Sequence, residues 1–306
     1  MKPYYQDDLV TLYHGRCEDV LPTLSLTGSV HLLTDPPYFK VKDNDWDNQW
    51  SKSAEFLDWM GDWLDLAKPH LSPDASVWVF ASPELTSAVE SVVASRFRVL
   101  NSVRWVKASS PVEKGWKTAR SFLSLWEGIV FAEQRTHVGE YMKTEWERAG
   151  WKAGALGKAL RFDSALPKRW SDSPEVYGAS RPSPVAYESL RQLLGAGYME
   201  AAYTDMVRSF QPRSRGTTSY VFTFDTVAPY PGKHVCEKPA ELLAHMIETT
   251  TRPGDTIIDC FAGSGAVLDV ARQLGRKAVG IEMDAHWCRQ ISKRLSQQAF
   301  DLGEIA

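Results

Sequence analysis

Val30-His31-Leu32-Leu33-Thr34-Asp35-Pro36-Pro37-Tyr38 is an apolar run that breaks into a corner holding two successive prolines. Such a run, closed by proline, reads as a buried strand running out into a loop, where chemistry is often displayed. The prolines fix φ and remove two backbone donors, so the carbonyls around them are left as rigid acceptors. Asp35 and Tyr38 flank the corner. A carboxylate, a fixed carbonyl and an aromatic face suit a planar ring that carries an amine, because the ring stacks while both N–H bonds point at oxygens. The plainer alternative is an Asp-Pro turn with a surface tyrosine, and the rest of the chain decides between them.

Outward from the corner, strand and helix patterns alternate. Residues 9–13 read as a strand, and His14-Gly15-Arg16-Cys17 turns into a helical stretch ending near Leu24. Residues 39–50 have no period and read as a loop able to fold over a substrate. A helix over 54–67, with Phe56, Met60, Trp63, Leu64 and Ala67 at helical spacing, precedes a buried strand over 76–81. A helix over 84–94, a strand over 97–106, a polar loop over 108–120 and a strand over 125–132 complete this half. The alternation predicts an α/β fold with a doubly wound, largely parallel sheet.

The far end supplies a second corner. Pro253-Gly254-Asp255 turns into a strand over 256–259, followed by Phe261-Ala262-Gly263-Ser264-Gly265 and a helix over 266–274. Glycines let backbone approach a ligand closely, and the helix start offers free N–H groups at the positive end of a dipole. The next strand, 278–281, ends at Glu282, a carboxylate placed to accept both hydroxyls of a ribose. A Gly-x-Gly alone is often only a tight turn; the acid closing the following strand argues for a nucleotide site.

These residues carry a family resemblance. The chain resembles the S-adenosylmethionine-dependent DNA amino-methyltransferases of the permuted, beta type, in which the catalytic motif precedes the cofactor motif. Asp35-Pro36-Pro37-Tyr38 is similar to the family's catalytic motif, and Asp259-Cys260-Phe261-Ala262-Gly263-Ser264-Gly265 to its cofactor loop. His234-Val235-Cys236-Glu237-Lys238-Pro239-Ala240-Glu241-Leu242-Leu243 resembles the segment whose backbone holds the methionine end of the cofactor, and Gly275-Arg276-Lys277 to Glu282 the ribose-binding turn. The likeness covers residues 1–134 and roughly 219–306. It implies a Rossmann-like, circularly permuted methyltransferase fold, with cofactor contacts from Lys238, Pro239, Leu242, Asp259, Phe261, Ala262, Gly263, Ser264, Gly265, Glu282, Cys17 and Asp35. Two positions depart from the pattern. Gly15-Arg16 stands where the family carries Gly-Asp, which leaves Glu18 or Asp19 as candidates for the contact to the cofactor adenine, and Trp287 replaces a more usual tyrosine.

At 306 residues the chain has room for one large α/β domain and an insertion. Its four cysteines show no Cys-x-x-Cys spacing, which argues against a zinc site or a disulfide framework; no metal is expected. No apolar run is long enough for a bilayer, the polar start does not read as a signal peptide, and a cytoplasmic location is expected. The formal charge is −3, yet residues 136–233 carry 13 lysines and arginines against 10 acids, so any basic surface is local. Within that segment three short helices are expected, over 139–149, 152–160 and 164–170, in the manner of a helix-turn-helix, with a further helix from Pro184 to Leu194. A helical cap with no DNA contact is the alternative. The predicted domains are a catalytic half over 1–134, a mainly helical target-recognition insertion over 135–218 and a cofactor half over 219–306.

The expected activity is transfer of a methyl group from S-adenosylmethionine to the N6 amine of an adenine flipped out of double-stranded DNA. Asp35, Pro36, Pro37 and Tyr38 form the expected catalytic corner. Lys40, Lys42, Lys107, Lys168 and Arg169 are candidate DNA contacts, each also readable as a solvated surface charge. Trp46 and Trp50 either stack on bases or pin their loop to the core. An N4-cytosine enzyme is the alternative, followed by an RNA or glutamine amine methyltransferase and a dead-site DNA-binding regulator. A homodimer is left open, and no restriction endonuclease partner is named by the sequence.

Overall fold

All five residues of Val30–Thr34 are buried, as a strand covered on both faces requires. The structure, a computed structural model, describes residues 1–41, 47–107, 124–134, 138–163, 165–171, 182–212 and 219–301. Among these residues nine strands form one sheet. They are β1 (Tyr5–Gln6), β2 (Val10–His14), β3 (Val30–Thr34), β4 (Ser76–Ala81), β5 (Arg98–Lys107), β6 (Trp126–Glu133), β7 (Val221–Phe224), β8 (Thr256–Asp259) and β9 (Lys277–Glu282). The helices are α1 (Cys17–Val20), α2 (Ser53–Ala67), α3 (Thr86–Ala94), α4 (Val138–Arg148), α5 (Ala153–Ala159), α6 (Leu166–Ser171), α7 (Pro184–Leu194), α8 (Tyr203–Met206), α9 (Ala240–Thr250), α10 (Ala266–Gln273) and α11 (Ala285–Asp301).

The sheet order is β1-β2-β9-β8-β3-β4-β6-β5-β7, so the last two long strands of the chain are inserted between its early ones. β8 pairs in parallel with β3, Leu32 opposite Ile258, and with β9, Asp259 opposite Gly280. β2 pairs in parallel with β9, bringing His14 level with Glu282. This run of parallel neighbours agrees with the sequence. The other half differs: β6 lies between β4 and β5 and runs antiparallel to both, so the sheet is mixed. Hairpin-type pairing needs no crossover helix, and strand periodicity carries no information on direction. The expected helix to Leu24 is also shorter, because Pro22 opens a 3-10 turn at Leu21–Thr23 straight after α1.

Apolar side chains from the strands and from α9, α10 and α11 form one core. Trp78 of β4 stacks on Phe131 of β6 with centroids 3.9 Å apart, worth about 0.5–1.5 kcal/mol beyond the area buried. α2 buries Phe56, Met60, Trp63, Leu64 and Ala67, the stripe expected of a surface helix, and Glu55 accepts the Ser51 N–H at 3.0 Å to close its start.

The chain divides into two compact units: Met1–Leu71, Ser76–Glu133 and Ser209–Ala306 form one, Ser72–Ala75 and Gln134–Arg208 the other. The second is helical, with its own core of Met142, Trp146, Leu156, Trp170, Tyr187, Leu190 and Met199. Its α6 has only six residues, under two turns, and buries Trp170 while Lys168 and Arg169 stay exposed. Ser164, expected to open this helix, lies outside the described residues.

Candidate active site

Four parallel strands bring their C-terminal ends to one place, where open α/β sheets hold their ligands. β3 hands over to Asp35, β8 ends at Asp259, β9 ends at Glu282, and β2 is followed by Gly15 and Arg16. Residues from all four ends line one cavity of about 840 Å³, a volume usual for a cofactor site.

The floor of the cavity is built from β3, β8 and the glycine loop. Thr34 Oγ1 donates to Asp259 Oδ1 at 2.8 Å, and the Phe261 N–H reaches the same oxygen at 3.2 Å. The Gly263 N–H donates to Glu282 Oε2 at 2.8 Å, and the Asp284 N–H to Glu282 Oε1 at 2.7 Å, so Glu282 ties the loop to the turn after β9. Gly265 begins α10 at φ +77°, and a Cβ there would stand 2.9 Å from Ile291 Cγ1; only glycine meets both demands. Glu18 accepts from Trp59 Nε1 at 2.6 Å and from Arg16 at 3.0 Å, and lines the cavity on the side of Gly15 and Cys17.

Burial pushes Asp259 up to about 7, with Asp35 and Glu282 adding repulsion against the hydrogen bonds it accepts. Its folded-state value therefore lies above the unfolded one near 3.8, and stability present at low pH is lost as pH rises from about 4 through about 7. Asp259→Asn, which retains an acceptor for Thr34, is expected to raise the melting temperature of the cofactor-free protein at pH 8. That gain should shrink toward pH 5, as read by thermal unfolding at both values; an equal gain at both pH values would place the effect elsewhere.

The proline corner carries the second group of charges. Lys238, 7% exposed, donates to Asp35 Oδ2 and stands 3.3 Å from Glu127 Oε2. Glu127 accepts from the Tyr38 hydroxyl at 3.1 Å and pairs with Lys107 at 2.8 Å. Asp35 Oδ1 is buried and has no hydrogen-bond partner among the described residues, a cost that an incoming N–H removes. Burial pushes Asp35 above the usual carboxylate range, and the Lys238 ammonium pulls it back. For Glu127 burial is outweighed by Lys238 and Lys107, which hold it at about 2. Asp47 fixes the corner from behind, accepting the Tyr38 N–H at 2.7 Å.

Asp35, Pro36, Pro37, Tyr38, Cys17, Lys238, Asp259, Phe261, Ala262, Gly263, Ser264 and Glu282 all border the cavity. Leu242 does not: Leu242 and Leu243 are both fully buried in the sheet core, and of the two Leu243 is the one that also borders the cavity. Successive helical residues point about 100° apart, so an assignment off by one position faces the core. Pro239 is likewise buried, at the start of α9, and Gly265 shapes the loop without lining the space. Lys40 Nζ donates to Ser51 O at 2.9 Å, and Lys107 is engaged with Glu127. Lys42 and Trp46 lie outside the described residues. Trp50 packs on Trp59 at 4.6 Å, so it anchors the loop to α2. Sequence reasoning missed Glu127; its signal was an acid in an apolar strand, since buried acids are almost always paired.

A Rossmann-like sheet with a glycine loop, an acid after the next strand and a carboxylate-proline corner in one cavity defines a methyltransferase that uses S-adenosylmethionine. The chain belongs to the DNA methylase family of N6 and N4 methyltransferases, whose pattern it matches over residues 30–293. Among curated relatives, the type II methyltransferase M2.DpnII of Streptococcus pneumoniae is 24% identical over 312 residues, spanning 97% of this chain and 93% of that protein. M1.MboII of Moraxella bovis is 22% identical, spanning 94% and 96%. Among solved structures, the M1.HpyAVI–SAM complex superposes with a TM-score of 0.57 at 16% identity, covering 94% of this chain and 99% of that one. The cytosine-N4-specific PvuII DNA methyltransferase gives 0.62 at 14% identity, covering 96% and 88%. Both likenesses concern the fold. The cavity fits the cofactor chemically: Glu18, Asp259 and Glu282 offer carboxylates toward a ligand bearing a sulfonium, amines and hydroxyls. Among the described residues no helix is long and apolar enough to cross a membrane, and no group of three or more ligating side chains is arranged to hold a metal.

Proposed function

We propose that the protein transfers the methyl group to the N6 amine of a flipped adenine in double-stranded DNA, as a beta-type enzyme whose catalytic corner precedes its cofactor loop. The observation that carries this reading is the presence of the Asp35–Tyr38 corner and the Gly263 loop on one cavity, with a buried Asp35 oxygen lacking a donor among the described residues. An exocyclic amine is a weak nucleophile because its lone pair is delocalised into the ring. Asp35 and the Pro36 carbonyl accept its two N–H bonds, return density to nitrogen and aim the lone pair. Tyr38, its hydroxyl held by Glu127, stacks on the flipped base. When bound, S-adenosylmethionine supplies a methyl already activated on a sulfonium. Glu282 takes the ribose hydroxyls, Glu18 the cofactor adenine, and the segment around Lys238 and Leu243 the methionine end.

The helical unit around α4–α8, with the basic segment of the chain, is the proposed target-recognition element, since the core supplies only cofactor and catalytic groups. Arg169, exposed beside Asp163 at 3.4 Å, and the exposed Lys168 are its candidate base-edge and phosphate contacts, with Lys40 and Lys42, which follow the corner in sequence, as further candidates. Lys107, the remaining candidate, is paired with Glu127.

Asp at the first motif position leans toward adenine, whereas the corner itself accepts any amine beside a ring nitrogen, cytosine N4 included. DNA from a methylation-free host expressing the gene is expected to yield N6-methyladenine after digestion and mass spectrometry. Methylcytosine as the sole product would overturn the choice of base and leave the corner's chemistry standing.

A further inference from the structure

The lysine of the cofactor segment spends its charge on the target side. An ammonium has three donors. Lys238 donates to Asp35 Oδ2 and to the Cys236 carbonyl at 3.4 Å, forms an ion pair with Glu127 Oε2 at 3.3 Å, and its Nζ lies 4.9 Å from the Phe80 ring centroid. Its charge is thus engaged by the two carboxylates of the target side. Lys238 and Lys107 pair with Asp35 and Glu127 in a partly buried cluster of two cations and two carboxylates. Removing one member of such a cluster leaves an uncompensated charge, and the remaining carboxylates then repel.

We propose that Lys238 is a positioning residue for methyl transfer: it clamps Asp35 by Oδ2, leaves Oδ1 for the target amine, and opposes Glu127 in governing the charge on Asp35. The proposal rests on the reading of Asp35 as the group that meets the amine. A charged carboxylate accepts with both oxygens, whereas a protonated one offers a donor where the amine brings its own hydrogen. The groups facing Asp35 are Lys238 and Cys236 from the segment before α9, Glu127 from β6 with Lys107 of β5 behind it, Tyr38 and Asp47 from its own loop, and Asp259 at the end of β8. Tyr38 and Cys236 are pushed up by burial, so both are neutral near pH 7. The charge on Asp35 is then set by one cation against acids, of which Glu127 shares that cation.

The two neighbours therefore act in opposite directions, which a merely structural role does not produce. Single-turnover transfer of tritiated methyl from S-adenosylmethionine to unmethylated genomic DNA, followed from pH 5 to 9, reads this directly. Lys238→Met should move the acidic limb of the rate upward by on the order of one pH unit or more and slow transfer at pH 7 at least tenfold. Lys238→Arg should restore the limb, and Glu127→Gln should move it downward. Cofactor affinity, measured by titration, should stay within about threefold in all three. Limbs that stay in place or move together, or a loss of cofactor affinity equal to the loss of rate in Lys238→Met, overturn the proposal. Should Lys238→Met fail to fold, Glu127→Gln decides alone, and a limb that is unmoved or raised overturns it. Asp35→Ala separates the two levels: full turnover in that variant removes Asp35 from the chemistry, whereas an inactive Asp35→Ala with unmoved limbs in the others refutes only the role of Lys238.

Discussion

Asp35→Ala is expected to abolish methyl transfer to DNA, by on the order of 10²- to 10⁴-fold, while S-adenosylmethionine binding stays within a few fold. The backbone φ of Pro36 and Pro37 is locked by the rings, so Asp35 leaves the end of β3 in a set direction. Its one oxygen is held by Lys238 and its other has no hydrogen-bond partner among the described residues, so the side chain is poised for a ligand donor. The floor that should meet the cofactor is built separately from Asp259, the glycine loop and Glu282. Removing Asp35 leaves Lys238 with Glu127 as counter-charge, so the cation is not orphaned and the fold should survive. Methyl incorporation into DNA and a calorimetric titration with the cofactor check both halves. Turnover near the native rate would end the proposed mechanism, and a cofactor affinity that collapses with the rate would move Asp35 into the cofactor site.

Glu282→Ala should weaken cofactor binding by about 1.5–3 kcal/mol, roughly 10- to 200-fold, the worth of a charge-assisted acceptor. The carboxylate has two tasks that single residues rarely separate. It borders the cavity where the ribose is proposed to sit, and it already accepts the Gly263 and Asp284 N–H groups. Alanine removes both, so part of the loss comes from a glycine loop no longer tied to β9. Glu282→Gln keeps one acceptor oxygen and should fall between native protein and alanine. If titration shows the two variants binding as the native protein does, Glu282 holds the loop alone and the ribose contact lies elsewhere.

The features legible in the sequence were those made by neighbours along the chain. Proline rings dictate the Asp35 corner, positive φ dictates Gly265, and apolar spacing dictates α2 and the buried runs of β3, β4 and β8. Each depends on covalent geometry or on a repeat of a few residues, which a sequence displays in full. The order of the two corners and the acid after β9 pointed from there to a nucleotide cofactor.

Tertiary structure alone decided what those corners touch. Lys238 meets Asp35 across 203 residues and Thr34 meets Asp259 across 225, pairings created by threading β8 beside β3. Glu127 enters the site because β6 runs antiparallel between β4 and β5, a direction that periodicity does not encode. Leu243 rather than Leu242 borders the cavity, although both are fully buried, because successive helix residues point about 100° apart. An isolated lysine or glutamate in a sequence has many available partners, and burial in a low-dielectric site selects one set, since a buried charge left unpaired is too costly to keep. The sequence by itself determined the chemical parts and the local geometry in which each is held; the strand order determined which charges share a cavity.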